Sequence, residues 1–399
     1  MTYDAIIVGA GVIGCAVARA LAEKQPRWKI LVLEKERDVA RHTSGRNSGV
    51  IHSGFNAAPG TLKARFCVEG NRRLREYCKK RGVAMQEVGT VVVALNDEDE
   101  SVLAELLRRG RENGVPGIEI VPQARLRELE PHSAGRAALH SPTGSIVDGA
   151  GVARAYAEDA TAAGVSFSFF HRVLGVESSG HGHRIRTDRD ICESDHFVNC
   201  AGLYADRIAH TMGVAKDLTI YPFRGDYFRL VESKSHLVRS MIYPAPNVKY
   251  PFLGIHFTKK VTGEVLAGPN AVLAFGRESY RPLDIHLGDT VSMLSDARFW
   301  RMVAGPEFRA LAVEQLKTTL FKRVFLDRAR WLLPQLELGD IARAQSGNRA
   351  QLVNRAGHLV EDLVIEESGR SIHVLNAVSP GLTCSLPFAD YVVEKLLKP

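Results

Sequence analysis

Short apolar runs alternate with longer segments of mixed polarity at the start of the chain. Residues 3–8 form an apolar run rich in β-branched side chains, which is typical of a buried parallel strand. Residues 15–23 are small and apolar and favour a helix packed closely on a sheet, and residues 28–33 form a second apolar run. The order strand, helix, strand predicts a βαβ unit.

The rest of the chain continues this alternation. Helices are predicted over residues 62–80, 97–113, 148–163 (with Asp148 as the cap), near Tyr204, over 284–336 and from Leu382. Strands are predicted over residues 88–95, 167–176, 184–188, 196–199 and 372–375, with a turn-rich, strand-like region over 218–281. We therefore expect an α/β protein with a second domain of α+β character.

The turn after the first strand carries a glycine pattern with a physical purpose. The first glycine permits a tight turn, the second lets the backbone approach a pyrophosphate, and the third lets the helix approach the strand. An acidic residue twenty positions after the last glycine is placed to accept from ribose hydroxyls. The predicted dinucleotide-binding residues are Gly9, Gly11, Val12, Ile13, Gly14, Glu34 and Lys35.

The segment that follows the second strand favours FAD over a nicotinamide cofactor. Residues 35–56 are rich in Ser, Thr, Gly and Asn, where a simple nicotinamide domain has a helix and a third strand. Polar side chains there can bond the pyrophosphate or the flavin edge, and these are Thr43, Ser44, Asn47 and Ser48. The alternative is a surface loop whose polar residues cap helices.

Seven blocks, taken in order, cover essentially the whole chain. They are "DAIIVGAGVIG", "TSGRNSGVIHSGF", "VNCAGLYAD", "YPFRGDYF", "LGIHFT", "GPNAVLAFGRESY" and "HVLNAVSPGLTCSL". The chain resembles the FAD-dependent D-amino-acid-oxidase-like (DAO) superfamily and is most similar to its L-2-hydroxyglutarate oxidase/dehydrogenase family. One departure is "SPGLTCS", which replaces a more usual run of small residues at the start of the last helix.

The resemblance implies a fold, a cofactor and a reaction. It implies a Rossmann-like domain of glutathione-reductase type that binds FAD non-covalently, joined to a mixed β-sheet substrate domain. The implied reaction is oxidation of L-2-hydroxyglutarate to 2-oxoglutarate by hydride transfer to flavin N5, with electrons passed to a quinone or oxygen. Further implied cofactor contacts are Val173 at the adenine, Ala201 and Gly202 beside it, and Gly381, Leu382 and Thr383 at the flavin pyrimidine.

The predicted domains are discontinuous. Residues 1–80, 148–215 and 340–399 are expected to form the FAD-binding domain. Residues 81–147 and 216–339 are expected to form the substrate domain, with a helical excursion over 284–336.

The composition of the chain bears on its folded state, its partners and its location. The chain has 399 residues, of which 45% are hydrophobic and 24% charged, so extensive disorder is excluded. The net charge of +7 favours an anionic partner. The six cysteines form no C-x-x-C pair, so we expect neither a metal site nor a dithiol redox centre. Because nothing indicates a disulfide framework, we expect a reducing, cytoplasmic location. We expect neither a secretory signal nor a spanning helix.

Oxidation of a 2-hydroxy acid needs a base for the hydroxyl proton and cations for the carboxylate. His256 and His52 are the candidate bases, and strand alternation around His256 favours it slightly. The candidate carboxylate clamps are Arg277, Arg224 and Arg349, and the candidate hydrogen-bonding residues are Asn270, Tyr280 and Gln351. Each arginine has the alternative of a structural ion pair.

Residues 298–331 combine basic and aromatic side chains. Eight basic residues stand against three acidic ones over 298–330. The pattern is compatible with an interfacial helix on the inner face of an anionic membrane, where a quinone would accept electrons. The alternative is an ordinary helical segment with its apolar face in the core. The basic residues follow no nucleic-acid-binding motif, so such a partner is not expected.

Other functions stay open from the residues alone. An oxidase of an amino acid or a secondary amine, or a glycerol-3-phosphate-type dehydrogenase, would use the same cofactor domain. A flavin-binding or membrane-associated subunit without its own catalysis is a different class. A nicotinamide dehydrogenase is the weakest alternative.

Overall fold

The computed structural model describes residues 2–180, 182–246, 254–377 and 379–398. Leu253 of "LGIHFT" and Val378 of the last block lie outside this range. Among the described residues, an eight-stranded mixed sheet has the amino-terminal strand in its interior. In spatial order its strands are Val173–Ser179, Gly182–Thr187, Ile191–Asn199, Thr2–Val8, Ile30–Leu33 and Ser166–Ser168, with Ser371–Asn376 also beside Ile191–Asn199 and Val364–Ser368 at the edge.

The first strand is buried on both faces, as its apolar run predicts. Thr2–Val8 runs parallel to the strands on either side of it. Successive side chains point to opposite faces, so Ile7 joins one apolar cluster and Ile6 another. The Ile7 cluster is covered by the helices Val12–Lys24, Leu62–Arg81, Gly149–Ala162 and Gly381–Leu396, and the short helix Ala205–Thr211 packs elsewhere on the sheet.

A second eight-stranded sheet is built mostly from the middle of the chain. Its strands, in spatial order, are Ile341–Arg343, Phe228–Leu230, Val265–Gly268, His256–Lys259, Met241–Pro244, Thr90–Ala94, Ala137–Ser141 and Glu119–Pro122. The helices Asp97–Glu112, Gln123–Leu129 and Lys322–Ala329 pack on it. The rings of Phe228 and Phe325 meet in its core, with centroids 4.4 Å apart.

Two small sheets and further helices complete the described fold. One sheet holds Thr219–Gly225 between Val272–Leu273 and Gly347–Val353, and the other holds Ser145–Val147 between Val50–Ile51 and Met85–Glu87. The remaining helices are Leu287–Leu294, Ala297–Ala304 and Pro306–Leu320, with 3-10 turns at Thr43–Gly45, Gly202–Tyr204, Glu232–Leu237 and Leu338–Asp340.

The predicted α/β class is confirmed, and local predictions need three corrections. The strand predicted over 167–176 is two strands, because Phe170 adopts a left-handed φ of 59° between them. The helical region over 284–336 is divided into four helices, and Pro306 begins one of them. Asp148 stands at the predicted helix start, but its carboxylate bonds Arg154 at 3.0 Å instead of the helix backbone.

Two strands shift the proposed domain boundary. Ile341–Arg343 pairs with Phe228–Leu230, and Gly347–Val353 pairs with Thr219–Gly225. Both partners belong to the predicted substrate domain. We propose the same discontinuous division, with the last boundary after residue 353 in place of 340.

The cysteines and helices bear on two further expectations. All six cysteines are free and buried. None of the helices in the described part of the chain has both the length and the apolar content needed to cross a membrane.

Candidate active site

A single cleft joins the glycine turn at the amino terminus to the start of the last helix. Its volume is about 620 Å³. Residues 11–13, residues 43–44 and 46–50 of the polar loop, and Gly381–Leu382 line it, as do both candidate histidines. Cofactor and reaction residues that the sequence scatters over the whole chain therefore share one space.

The glycine turn leaves room beside a helix start. Gly9 adopts a φ of +99°, which favours glycine, and a side chain on Gly14 would overlap the Gly9 carbonyl oxygen. A Cβ on Gly11 would lie 3.1 Å from the Ser44 hydroxyl oxygen. That hydroxyl accepts from the backbone N–H of Val12 at 2.9 Å. Ser44 therefore lies at the helix start where a pyrophosphate is expected.

Glu34 and its neighbours lie at the far side of the glycine turn. The Glu34 carboxylate accepts from the N–H of Ala10 at 2.7 Å, and Lys35 bonds Glu278 at 2.5 Å. Val173 and Ala201 pack on the apolar cluster that contains Leu31 and Leu33, in the strand just before Glu34. This group lies on the predicted adenine side, outside the lining of the cleft, while Gly202 lines it.

The polar loop is held in place by its own side chains. Thr43 donates to the carbonyl of Asn348 at 2.9 Å. Asn47 donates to the carbonyl of Ser44 at 2.9 Å and accepts from the N–H of Gly49 at 2.9 Å. Together with Ser48, these residues line the cleft, so the loop presents a fixed polar wall to it.

The last helix begins at the opposite end of the cleft. Gly381 and Leu382 line the cleft, and the first N–H groups of a helix have no partner within it. The side chain of Thr383 faces inward, and its hydroxyl accepts from the N–H of His52 at 3.0 Å. The helix start can therefore stabilise negative charge, while Thr383 fixes the loop that carries His52.

These features fit FAD. The cleft is extended, one end offers a glycine cradle at a helix start, and the other end offers a second helix start. Glu34 stands where ribose hydroxyls are expected. One continuous cleft that connects both ends suits a cofactor that extends beyond its pyrophosphate.

His256 is the better prepared of the two candidate bases. Its ring stacks on Tyr243 at 4.2 Å between centroids, with 18° between the planes. Its Nδ1 lies 3.1 Å from the carbonyl oxygen of Gly254, which assigns the ring proton to Nδ1 and leaves a lone pair on Nε2. Burial lowers the pKa of His256 to about 4, so the ring is uncharged at neutral pH and can accept a proton.

His52 lines the same cleft from the other side. Its carbonyl accepts from the Asn71 amide at 3.1 Å, and Thr383 holds its N–H. Burial, followed by repulsion from His256, lowers the pKa of His52 to about 4. Two uncharged imidazoles therefore face one space.

Arg349 and Arg224 lie on paired strands but face opposite ways. Arg349 lies directly across from Phe223, and both line the cleft. Arg224 follows Phe223 and therefore points to the other face, where it bonds Asp226 at 2.7 Å and the carbonyl of Arg281 at 2.8 Å. The prediction of Arg224 as a clamp does not agree with this placement, whereas Arg349 stays a candidate.

Arg277 is also placed away from the cleft. Its guanidinium bonds both carboxylate oxygens of Asp206, at 2.6 and 2.8 Å, and the carbonyl of Leu203. The side chain is only 6% exposed. We therefore correct its assignment from substrate clamp to a buried structural ion pair.

The three predicted hydrogen-bonding residues are also largely engaged. Asn270 lines the cleft, but it donates both amide hydrogens, to Thr318 and Thr319. Gln351 lines the cleft and donates to the carbonyls of Leu352 and Val360, which leaves its oxygen as an acceptor. Tyr280 is outside the cleft lining, bonded to His42 at 2.5 Å. Neither Asn270 nor Tyr280 is therefore placed to donate to substrate.

Several residues that the sequence does not single out line the part of the cleft that holds His256 and His52, which we call its reaction end. These residues are Tyr243, Tyr227 and Lys63, and the sequence analysis assigns none of them to the site. Lys63 did carry a signal, because a lysine in the first turn of a helix opposes the helix dipole. The tyrosines gave none, since their importance depends on their contacts with His256 and Ser48.

The basic, aromatic segment 298–331 is divided between core and surface. Phe299 and Phe325 are buried. Trp300, Phe321 and Trp331 are each more than half exposed, at 57%, 58% and 53%. The buried rings agree with a helical segment that packs in the core, and the membrane contact stays a prediction.

Comparisons with known proteins add independent findings. Residues 4–395 match the family described as FAD dependent oxidoreductase (DAO). The L-2-hydroxyglutarate dehydrogenase of Indibacter alkaliphilus is 37% identical over 406 residues, covering 100% of both chains. The mitochondrial L-2-hydroxyglutarate dehydrogenase of Homo sapiens is also 37% identical, over 99% of this chain and 89% of that protein. Dithionite-reduced, FAD-bound L-alpha-glycerophosphate oxidase from Mycoplasma pneumoniae has a TM-score of 0.81 at 23% identity, covering 100% of this chain and 96% of that chain, which shows a shared fold.

Proposed function

Because this chain belongs to the family of FAD-dependent oxidoreductases, we propose that it oxidises L-2-hydroxyglutarate to 2-oxoglutarate. Full-length similarity to proteins that carry the name L-2-hydroxyglutarate dehydrogenase supports the substrate. The observation that carries the proposal is the placement of Arg349 in one cleft with the uncharged imidazoles of His256 and His52. That set suits a small acid that bears a hydroxyl group.

FAD supplies a hydride acceptor at flavin N5. Arg349 binds the carboxylate beside C2 through its planar fork, which orients the C2–H bond. His256 Nε2 takes the hydroxyl proton as the C2–O bond gains double-bond character. One hydride and one proton thus leave the alcohol and give the ketone.

The remaining residues of the cleft position this base and the cofactor. Tyr243 and the Gly254 carbonyl hold the His256 ring and its tautomer. The start of the last helix would hold the flavin pyrimidine and would stabilise negative charge on it. The turn at Gly11, with Ser44, would hold the pyrophosphate.

The test is anaerobic bleaching of the bound flavin with a panel of acids. The flavin absorbance at roughly 450 nm should disappear when L-2-hydroxyglutarate is added. It should disappear much more slowly with the D enantiomer. The panel includes glycerol 3-phosphate, glycine and L-proline. Bleaching by an amine or by glycerol 3-phosphate, with none by L-2-hydroxyglutarate, would replace the proposed substrate.

We further propose a quinone as electron acceptor, reached at an anionic membrane surface through segment 298–331. Trp300, Phe321 and Trp331 are exposed there, and exposed basic side chains accompany them. The exposed basic residues of the segment are Arg301, Arg309, Lys317, Arg323 and Arg330. Aromatic side chains suit the interfacial region, and cations suit anionic headgroups. This arrangement supports a peripheral position on the inner face of the cell membrane.

A further inference from the structure

Lys63 stands in an unfavourable place for the helix that carries it. It lies in the first turn of helix Leu62–Arg81, where Thr61 caps the helix by accepting from the N–H of Ala64 at 3.1 Å. Cations stabilise the opposite end of a helix, and this helix ends with Lys79, Lys80 and Arg81. Helix stability therefore gives no reason for a lysine at position 63.

The side chain of Lys63 lines the cleft beside other charged groups. Its ammonium donates to the backbone carbonyl of Glu361 over a long 3.4 Å. Burial and then repulsion from Arg349 lower the pKa of Lys63, and the attraction of Glu361 is weaker than that repulsion. Arg349, Glu361 and Asp362 line the same cleft, and Asp362 accepts from the N–H of Leu363 at 2.8 Å.

Two cations and a helix start thus share one part of the cleft. His52 lies near both Lys63 and Arg349. The positive charge of each lowers the pKa of His52, after the larger effects of burial and of His256. Uncharged imidazoles add no positive charge of their own. A ligand with two carboxylates would place one near each cation and relieve their mutual repulsion.

We propose that Lys63 binds the second carboxylate of a dicarboxylic substrate, while Arg349 binds the carboxylate next to the reacting carbon. The assignment rests on the proposed function and makes Lys63 the residue that selects a dicarboxylate over a monocarboxylate. A five-carbon hydroxy acid that lacks the second carboxylate, L-2-hydroxyvalerate, is the matched poor substrate.

The first experiment compares the two acids in the FAD-loaded enzyme. Replacement of Lys63 by Met should lower the ratio of kcat/KM for L-2-hydroxyglutarate to that for L-2-hydroxyvalerate by about 10- to 100-fold, chiefly through KM. Lys63→Arg should keep most of the ratio. Lys80→Met, at an exposed position of the same helix, is the control and should keep the wild-type ratio.

The second experiment measures binding without turnover. Glutarate and valerate are titrated into the enzyme, and the bound-flavin spectrum reports each dissociation constant. Lys63→Met should weaken the binding of glutarate by a similar factor. The binding of valerate, which is weaker in the wild type, should change little. FAD content and the thermal midpoint confirm that each variant is folded.

The outcomes separate the two proposals. A wild-type enzyme that does not oxidise L-2-hydroxyglutarate overturns the proposed function, whatever Lys63 does. A wild-type enzyme that does, with Lys63→Met losing both acids equally, overturns the role of Lys63. Should Lys63→Met and Lys63→Gln both lose FAD, Lys63 serves the cofactor and the inference is also overturned.

Discussion

The ring of His256 lies almost parallel to the ring of Tyr243, 4.2 Å away between centroids. This contact fixes the plane of the imidazole, and the carbonyl of Gly254 fixes its tautomer. A base that is held in this way needs no reorganisation before it takes a proton. The contact therefore supports His256 over His52 as the base.

Replacing His256 by Gln should lower kcat by about 10²- to 10⁴-fold, the usual contribution of a general base. The flavin should stay bound, because His256 lies at the reaction end of the cleft. Stopped-flow measurement of anaerobic flavin reduction gives the rate. His358→Gln, at an exposed position, should match wild type. A larger loss in His52→Gln than in His256→Gln would exchange the two roles.

Buried histidines should make the fold sensitive to mild acid. Burial lowers the pKa of His373 to about 4, below its ordinary value in the unfolded chain. At a pH between the two pKa values, His373 is protonated in the unfolded chain and uncharged in the folded protein. The contribution of His373 to stability is therefore fully present above the pKa of the unfolded chain, and it is lost as the pH falls through the pKa of the folded protein. At pH 5 the loss is about 2 kcal/mol for such a histidine.

Urea unfolding of the holoenzyme at pH 7 and pH 5 measures this effect. His373→Gln should reduce the difference in unfolding free energy between the two pH values by about 2 kcal/mol. His358→Gln should leave the difference as in wild type. An equal pH response in wild type and His373→Gln would mean that His373 is protonated in the folded protein.

Gly11 should be required for FAD and not for folding. A Cβ there would lie 3.1 Å from the Ser44 hydroxyl oxygen, in the space expected for the pyrophosphate. Gly11→Val should therefore weaken FAD binding at least about tenfold, as measured by quenching of flavin fluorescence. Gly339→Ala, where a Cβ meets nothing within 4 Å, is the control. Wild-type FAD affinity in Gly11→Val would contradict the cradle.

Arg277 should contribute to stability and not to substrate binding. Arg277→Gln leaves the buried carboxylate of Asp206 without its cation, which should cost about 3–5 kcal/mol in unfolding free energy. The double variant with Asp206→Asn should recover part of that loss. KM for substrate should change little in the variant that stays folded, and a large selective rise in KM would return Arg277 to the substrate site.

Segment 298–331 should bind anionic vesicles. Co-sedimentation with phosphatidylglycerol-containing vesicles should exceed that with phosphatidylcholine alone and should fall as salt rises. Changing Trp300, Phe321 and Trp331 to Ser should reduce binding about tenfold or more. Phe170→Ser, which alters an aromatic residue of similar exposure between two strands of the first sheet, is the control. Equal binding by both would place the membrane contact elsewhere.

The residues at the cofactor end of the site could be predicted from the sequence because the motif that contains them is short and local. Gly9, Gly11 and Gly14 lie within six residues, and Glu34 directly follows the next strand. Gly14 leaves room for the Gly9 carbonyl five positions earlier, and Glu34 bonds the N–H of Ala10 within the same βαβ unit. A linear pattern therefore carries the geometry almost completely.

The substrate end was not readable in the same way. Arg224 and Arg349 look equivalent in a sequence, and only the register opposite Phe223 turns one into the cleft and the other out of it. Arg277 finds its partner 71 positions away, at Asp206. Such choices depend on which strands pair, which a single chain without aligned relatives does not reveal.

The hydroxyl of Thr383 holds the N–H of His52 across 331 positions of the chain. The helix that carries Thr383 also packs against the first two helices of the cofactor region. Synthesis on the ribosome runs from the amino end, so the glycine turn emerges long before this last piece exists. Flavin capture must then wait until this helix has been synthesised, and a nascent chain stalled before residue 381 should retain no flavin.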